Sequence, residues 1–140
     1  MMRLVVVDTS ALVALGNKRD NKHRLAAGFL EEVAVEDALL VVSDYVLDET
    51  YTLLMSRGLS LNMIERLHGL IESSVEHGVM RLSVINKKLF DSSWLWFRKF
   101  FEHQVSFTDC VVYEIARDIR ADCIFAFDDH FSKMGFTIKP

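Results

Sequence analysis

The sequence predicts an α/β layer fold with a mostly parallel sheet, and three observations carry that reading. Short unbroken apolar runs such as Leu4–Val7 and Cys123–Phe127 have the look of strands buried on both faces. Amphipathic stretches of helical period separate these runs. Acidic residues stand directly after the runs or within the first turns of the helices: Asp8, Glu49, Asp109 and Asp128 in chain order. In open α/β sheets ligands sit in the crevice at the carboxyl ends of the strands, so carboxylates placed there are positioned for chemistry.

Taken in order, the periodicity predicts a strand over 3–8, a short helix over 10–15 and a longer helix over 22–35. A second strand follows over 39–42, then helices over 44–57 and 61–77. The third strand covers 80–84, with helices over 87–103 and 108–120 behind it. A fourth strand over 123–126 and a short one over 136–138 close the chain. The only proline is Pro140, the six glycines are scattered, and nothing reads as an interdomain linker. The 140 residues are therefore expected to form one domain over 1–140.

Composition excludes several classes. Half of the residues are hydrophobic, which argues against disorder, and a formal charge of −4 argues against a protein that grips nucleic acid by bulk charge alone. Cys110 and Cys123 have no CxxC partner spacing, so buried reduced thiols are expected rather than zinc or a disulfide. Met1-Met2-Arg3 leads straight into a strand without a signal-peptide pattern, and no apolar run nears the ~18 residues that span a bilayer. A cytoplasmic location is the expectation.

Each acid has a structural reason as well as a chemical one. Asp8 precedes Thr9 and Ser10 at a helix start. At 100° per residue, Val46, Leu47, Leu53 and Leu54 form a stripe with Thr50 near its centre; Glu49 falls on the margin of that stripe and Asp48 on the far side. Ser106-Phe107-Thr108-Asp109 fits a capping box, yet Asp109 also lies on the margin of the stripe Val112, Ile115, Ala116, Ile119. Asp128 directly follows a strand, and Asp129 beside it is an alternative for the same role; His130 is expected to be exposed.

Four segments together resemble the PIN-domain nucleases, in particular the VapC-like toxins of prokaryotic toxin–antitoxin pairs. They are Val5-Val6-Val7-Asp8-Thr9-Ser10-Ala11-Leu12, Ser43-Asp44-Tyr45-Val46-Leu47-Asp48-Glu49-Thr50, Val105-Ser106-Phe107-Thr108-Asp109-Cys110 and Phe125-Ala126-Phe127-Asp128-Asp129-His130-Phe131. The resemblance implies a sheet of about five strands flanked by helices. It implies that Asp8, Glu49, Asp109 and Asp128 are catalytic and metal-binding, with Ser10 and Thr108 as polar neighbours of the acids. It further implies cleavage of single-stranded RNA to a 3′-hydroxyl and a 5′-phosphate, a homodimer, and an antitoxin partner.

The chemistry agrees. Clustered carboxylates repel a phosphodiester unless a cation stands between them, and hard oxygen donors suit one or two Mg²⁺ or Mn²⁺ ions. Lys18, Arg19, Lys22, Arg24, Arg57 and Arg117 are candidate phosphate contacts, and the aromatic run 94–101 is expected to be core or a dimer surface before a base-stacking platform. Three other readings are weaker. An aspartate-based phosphatase wants a second Asp where Ser10 stands, and a receiver-like domain wants an Asp where the chain has Asn86 and Lys87. A PIN fold that binds RNA or a partner without cutting is the third.

Overall fold

The computed structural model describes residues 2–140. Five strands, β1 (Arg3–Val7), β2 (Ala38–Ser43), β3 (Met80–Ser83), β4 (Cys123–Phe125) and β5 (Ile138–Lys139), pair in the order β3-β2-β1-β4-β5, all parallel. Seven helices flank the sheet: α1 (Thr9–Gly16), α2 (His23–Val35), α3 (Asp44–Ser56), α4 (Leu61–Glu76), α5 (Lys87–Lys99), α6 (Phe107–Asp118) and α7 (His130–Lys133). Among the described residues no helix is long and apolar enough to cross a membrane.

The strand order explains where a ligand belongs. The chain builds outward from β1 through β2 to β3, then returns past β1 to lay down β4 and β5. The direction of winding therefore reverses between β1 and β4, and such a switch point opens a crevice at the strand ends. Val5, Val6, Val41, Val42, Ile124 and Phe125 are sealed in the core, as expected for central strands covered on both faces. Asp8 and Asp128 follow the two strands that border the switch point.

Most elements match the sequence expectation, with four differences. Asp8 is not the last strand residue but the N-cap of α1, its side chain accepting from the Ser10 N–H. The helix expected over 87–103 stops at Lys99, followed by a 3₁₀ turn at Phe101–His103 and by Gln104 in the left-handed region (φ 55°). The helix α7 was not expected, because a four-residue helix has too few positions to show a period. The last strand runs over Ile138–Lys139 rather than 136–138.

Helix α1 packs closely on its neighbours because it ends in Gly16. A Cβ there would lie 2.9 Å from Leu67 Cδ2 of α4 and 3.2 Å from Leu54 Cδ1 of α3, and both leucines are buried. Gly16→Val should lower stability by about 1–3 kcal/mol through overpacking. Chemical denaturation checks this, and an unchanged midpoint would show that the leucines yield freely.

Candidate active site

Asp8, Glu49, Asp109 and Asp128, from four different segments, line one open cleft of about 610 Å³ at the carboxyl edge of the sheet. Asp8 is buried; its Oδ2 accepts from the Ser10 backbone N–H (3.2 Å) and the Ser10 hydroxyl (2.7 Å). Its Oδ1 is also buried and has no hydrogen-bond partner. Ser10 Oγ in turn accepts from the Phe127 N–H at 3.0 Å, so one hydroxyl ties the end of β1 to the segment after β4. Removing it in Ser10→Ala leaves a part-buried N–H unpaired. The expected result is a loss of about 1–3 kcal/mol in an equilibrium unfolding experiment, and no loss would mean that water replaces the hydroxyl.

Asp109 serves the fold and the cleft with the same side chain. It completes a capping box with Ser106 at the start of α6: its N–H donates to Ser106 Oγ and its Oδ2 accepts from the Ser106 N–H, both at 3.0 Å. That oxygen also accepts from His130 Nδ1 at 2.8 Å. Asp128 Oδ1 accepts from the His130 backbone N–H at 3.2 Å and lies 3.7 Å from its Nδ1. One ligand atom from each of Asp109, Asp128 and His130 falls within 4.8 Å of the others.

The electrostatics record crowding of like charge. Burial pushes Asp8 up to about 7, with Asp128 and then Asp109 adding repulsion against the opposing hydrogen bond from Ser10. Burial and Asp109 likewise raise Asp128. Burial would lower His130, but Asp109 and Asp128 outweigh it and the imidazole is raised. A cluster of carboxylates that push one another toward the neutral form, with an orphaned buried oxygen on Asp8, is a donor set suited to a divalent cation.

The structure separates the sequence candidates. Asp128 faces the cleft, whereas Asp129 is exposed and sits 3.5 Å from Lys133 Nζ. Glu49 lines the wall formed by α3, is half-buried, and lies outside the tight group of three. Thr108 is not in the cleft lining; Thr9 is, with its Oγ1 buried and unpaired, because at the start of α1 it is Thr9 whose side chain meets the cleft floor. His130, expected to be exposed, is partly covered and bonded to two acids, because the turn into α7 folds it back over Asp109. Of the six candidate cations, only Lys22 and Arg57 line the cleft. Arg117 instead lies over the rings of Trp96 (5.0 Å) and Tyr113 (5.7 Å).

Both cysteines are free and buried, and burial, with Asp109 next to it, pushes Cys110 up to about 12, which leaves that thiol inert.

Comparison with known proteins decides the family. The PIN-domain model matches residues 5–137, almost the whole chain. This chain belongs to the PIN-domain family. Among its PIN-domain relatives is the 23S rRNA-specific endonuclease VapC20 of Mycobacterium tuberculosis, 30% identical over 138 residues, or 98% of this chain and 99% of the relative. The crystal structure of that protein, described as a Sarcin-Ricin loop cleaving toxin, superposes with a TM-score of 0.83 at 29% identity, covering 97% of this chain and 99% of the other. A more distant likeness, in fold alone, is to the crystal structure of VapBC2 from Rickettsia felis bound to a DNA fragment (TM-score 0.67, 13% identity, 97% of each chain).

Proposed function

We propose that this PIN-domain protein is a divalent-metal-dependent endoribonuclease that hydrolyses phosphodiester bonds in single-stranded regions of RNA, and that it is the toxin of a toxin–antitoxin pair. The observation that carries the reading is the convergence of Asp8, Glu49, Asp109 and Asp128 on one cleft, with Asp8 Oδ1 buried and unpartnered. Similarity to a 23S rRNA-specific endonuclease over nearly the whole chain supports RNA as the substrate and makes ribosomal RNA the first to test.

In this reading Asp8, Asp109 and Asp128 hold Mg²⁺ or Mn²⁺, one ion or two, and Glu49 either joins them or holds the attacking water. When bound, the ion neutralises the phosphate and raises the acidity of the reacting water. The protein's own groups do the rest. Ser10 holds Asp8 Oδ2 so that Oδ1 stays turned away from its hydrogen-bond partners. His130 and the α6 cap both engage Asp109 Oδ2, which leaves Oδ1 for the cleft. Glu49, on the cleft wall, can orient water against the scissile phosphate. Lys22 and Arg57 on the rim contact flanking phosphates, with Arg57 steadied 3.9 Å from Asp20. The products are a 3′-hydroxyl and a 5′-phosphate. A cytoplasmic homodimer, restrained by an antitoxin, completes the proposal.

The deciding experiment incubates antitoxin-free protein with ribosomal RNA and a mixed-sequence single-stranded RNA, in Mg²⁺ or Mn²⁺ and in EDTA, with Asp8→Asn alongside. Metal-dependent cutting that the variant lacks supports the reading. RNA binding without cutting in any metal would favour a non-catalytic PIN fold.

A further inference from the structure

Beside the acidic cleft lies a second pocket of about 430 Å³, lined by Phe97, Phe101, Glu102, Gln104 and Val105. Gln104 lines both. We propose that this pocket, which shares Gln104 with the cleft, receives an unpaired base of the RNA next to the cut bond and favours adenine and cytosine, whose exocyclic amino group stands beside an unprotonated ring nitrogen. The proposal rests on the nuclease reading above and extends it to sequence preference.

Three features support it. Phe101 is 64% exposed and stands edge-on to Phe97, with ring centroids 5.7 Å apart and planes at 83°, so an apolar corner is open to solvent. Unpaired bases are commonly held by such aromatic surfaces while their edges are read by polar groups. The corner is fixed to the site: Phe97 packs 5.8 Å from Phe107, the residue after the α6 cap Ser106, and Ser106 lines the cleft. Finally, Gln104 closes the 3₁₀ turn in the left-handed conformation, which a residue other than glycine rarely adopts, and lines both pockets.

The amino-group preference follows from the polar residues. The Gln104 amide can donate to a ring nitrogen and accept from an amino group. Glu102 adds a carboxylate, which accepts from an amino group and repels a carbonyl oxygen. Adenine and cytosine satisfy both groups at once, whereas uracil has no free ring nitrogen and offers one N3–H flanked by carbonyl oxygens that Glu102 repels.

The test measures binding of fluorescein-labelled oligo(A), oligo(C), oligo(U) and an abasic oligomer by anisotropy, with Mg²⁺, in an Asp8→Asn background. Oligo(A) and oligo(C) should bind about tenfold tighter than oligo(U), and the abasic oligomer weakest. Added to that background, Gln104→Gly should erase the preference and Phe101→Leu should bring every base-bearing oligomer toward the abasic affinity, neither lowering the melting temperature, and Phe101→Tyr should retain both affinity and preference. Equal affinities for all four oligomers, or variants that bind like the parent, would overturn the pocket even if the wild type cuts RNA. So would absence of RNA binding. A Phe101→Leu protein of altered oligomeric mass with unaltered RNA affinity would assign the face to contact between copies instead. Conversely, the expected preferences in a wild type that never cuts would keep the pocket and remove the nuclease.

Discussion

Asp8→Asn is expected to reduce RNA cleavage by about three orders of magnitude or more, and at neutral pH to make the metal-free fold more stable. The first effect follows from removing a charge that would neutralise the ion, since several kcal/mol of transition-state stabilisation correspond to that factor. The second follows from burial. Asp8 is 2% exposed and repelled by Asp128 and Asp109. Its carboxyl is pushed up to about 7 from the ordinary 3.8, so between those pH values the folded chain holds a proton that the unfolded chain has lost. Stability is therefore fully present below about 4 and falls as the pH rises through about 7. The loss is on the order of a few kcal/mol. Asparagine carries no charge to desolvate, keeps an oxygen for the Ser10 hydroxyl, and should flatten that pH dependence. Thermal melts of both proteins from pH 4 to 8, without metal, measure it. A variant that melts below the wild type at pH 8 would show that Asp8 is held chiefly by hydrogen bonding. Added Mg²⁺ should restore the wild type and leave the variant nearly unmoved.

Asp109→Asn is expected to abolish cutting to a similar extent, but with the opposite effect on the fold. The Asp109 side chain is the N3 acid of the α6 capping box and the acceptor for His130. An amide oxygen can still take the Ser106 N–H, but it cannot match a carboxylate both at a helix N-terminus and against an imidazole. A cost of about 1 kcal/mol results. The pair of variants thus separates the two roles: equal losses of activity, with stability raised at one site and lowered at the other. If Asp109→Asn kept wild-type cleavage, the acid would belong to the helix cap alone.

The outcome at each position shows why some of this was legible in the chain and some was not. Strand identity was readable because Leu4–Val7 and Cys123–Phe125 are unbroken apolar runs, and a run buried on both faces needs no partner to be recognised. Asp8, Glu49 and Asp109 were readable as inward-facing because a cap motif or a helical margin is a local property of a few consecutive residues. Buried Thr50 beside exposed Asp48 follows from the same angular count. The stop of α5 at Lys99 was not legible, since Phe100 and Phe101 continue the apolar period and the turn carries neither glycine nor proline.

The sequence by itself determined a mostly parallel α/β chain with acids at strand ends and helix starts, because period and capping are written in neighbouring residues. Only the tertiary structure decided which groups meet. Asp128 rather than Asp129 enters the cleft, His130 folds back onto Asp109, Thr9 rather than Thr108 lines the floor, and Lys22 and Arg57 alone of the candidate cations reach the rim. The meeting of Asp128 and His130 with Asp8 and Asp109 depends on the crossover that lays β4 beside β1, and the places of Thr9, Lys22 and Arg57 depend on how the helices around α1 pack on the sheet. Such proximity is a property of the whole packing, and no local pattern of side chains encodes it.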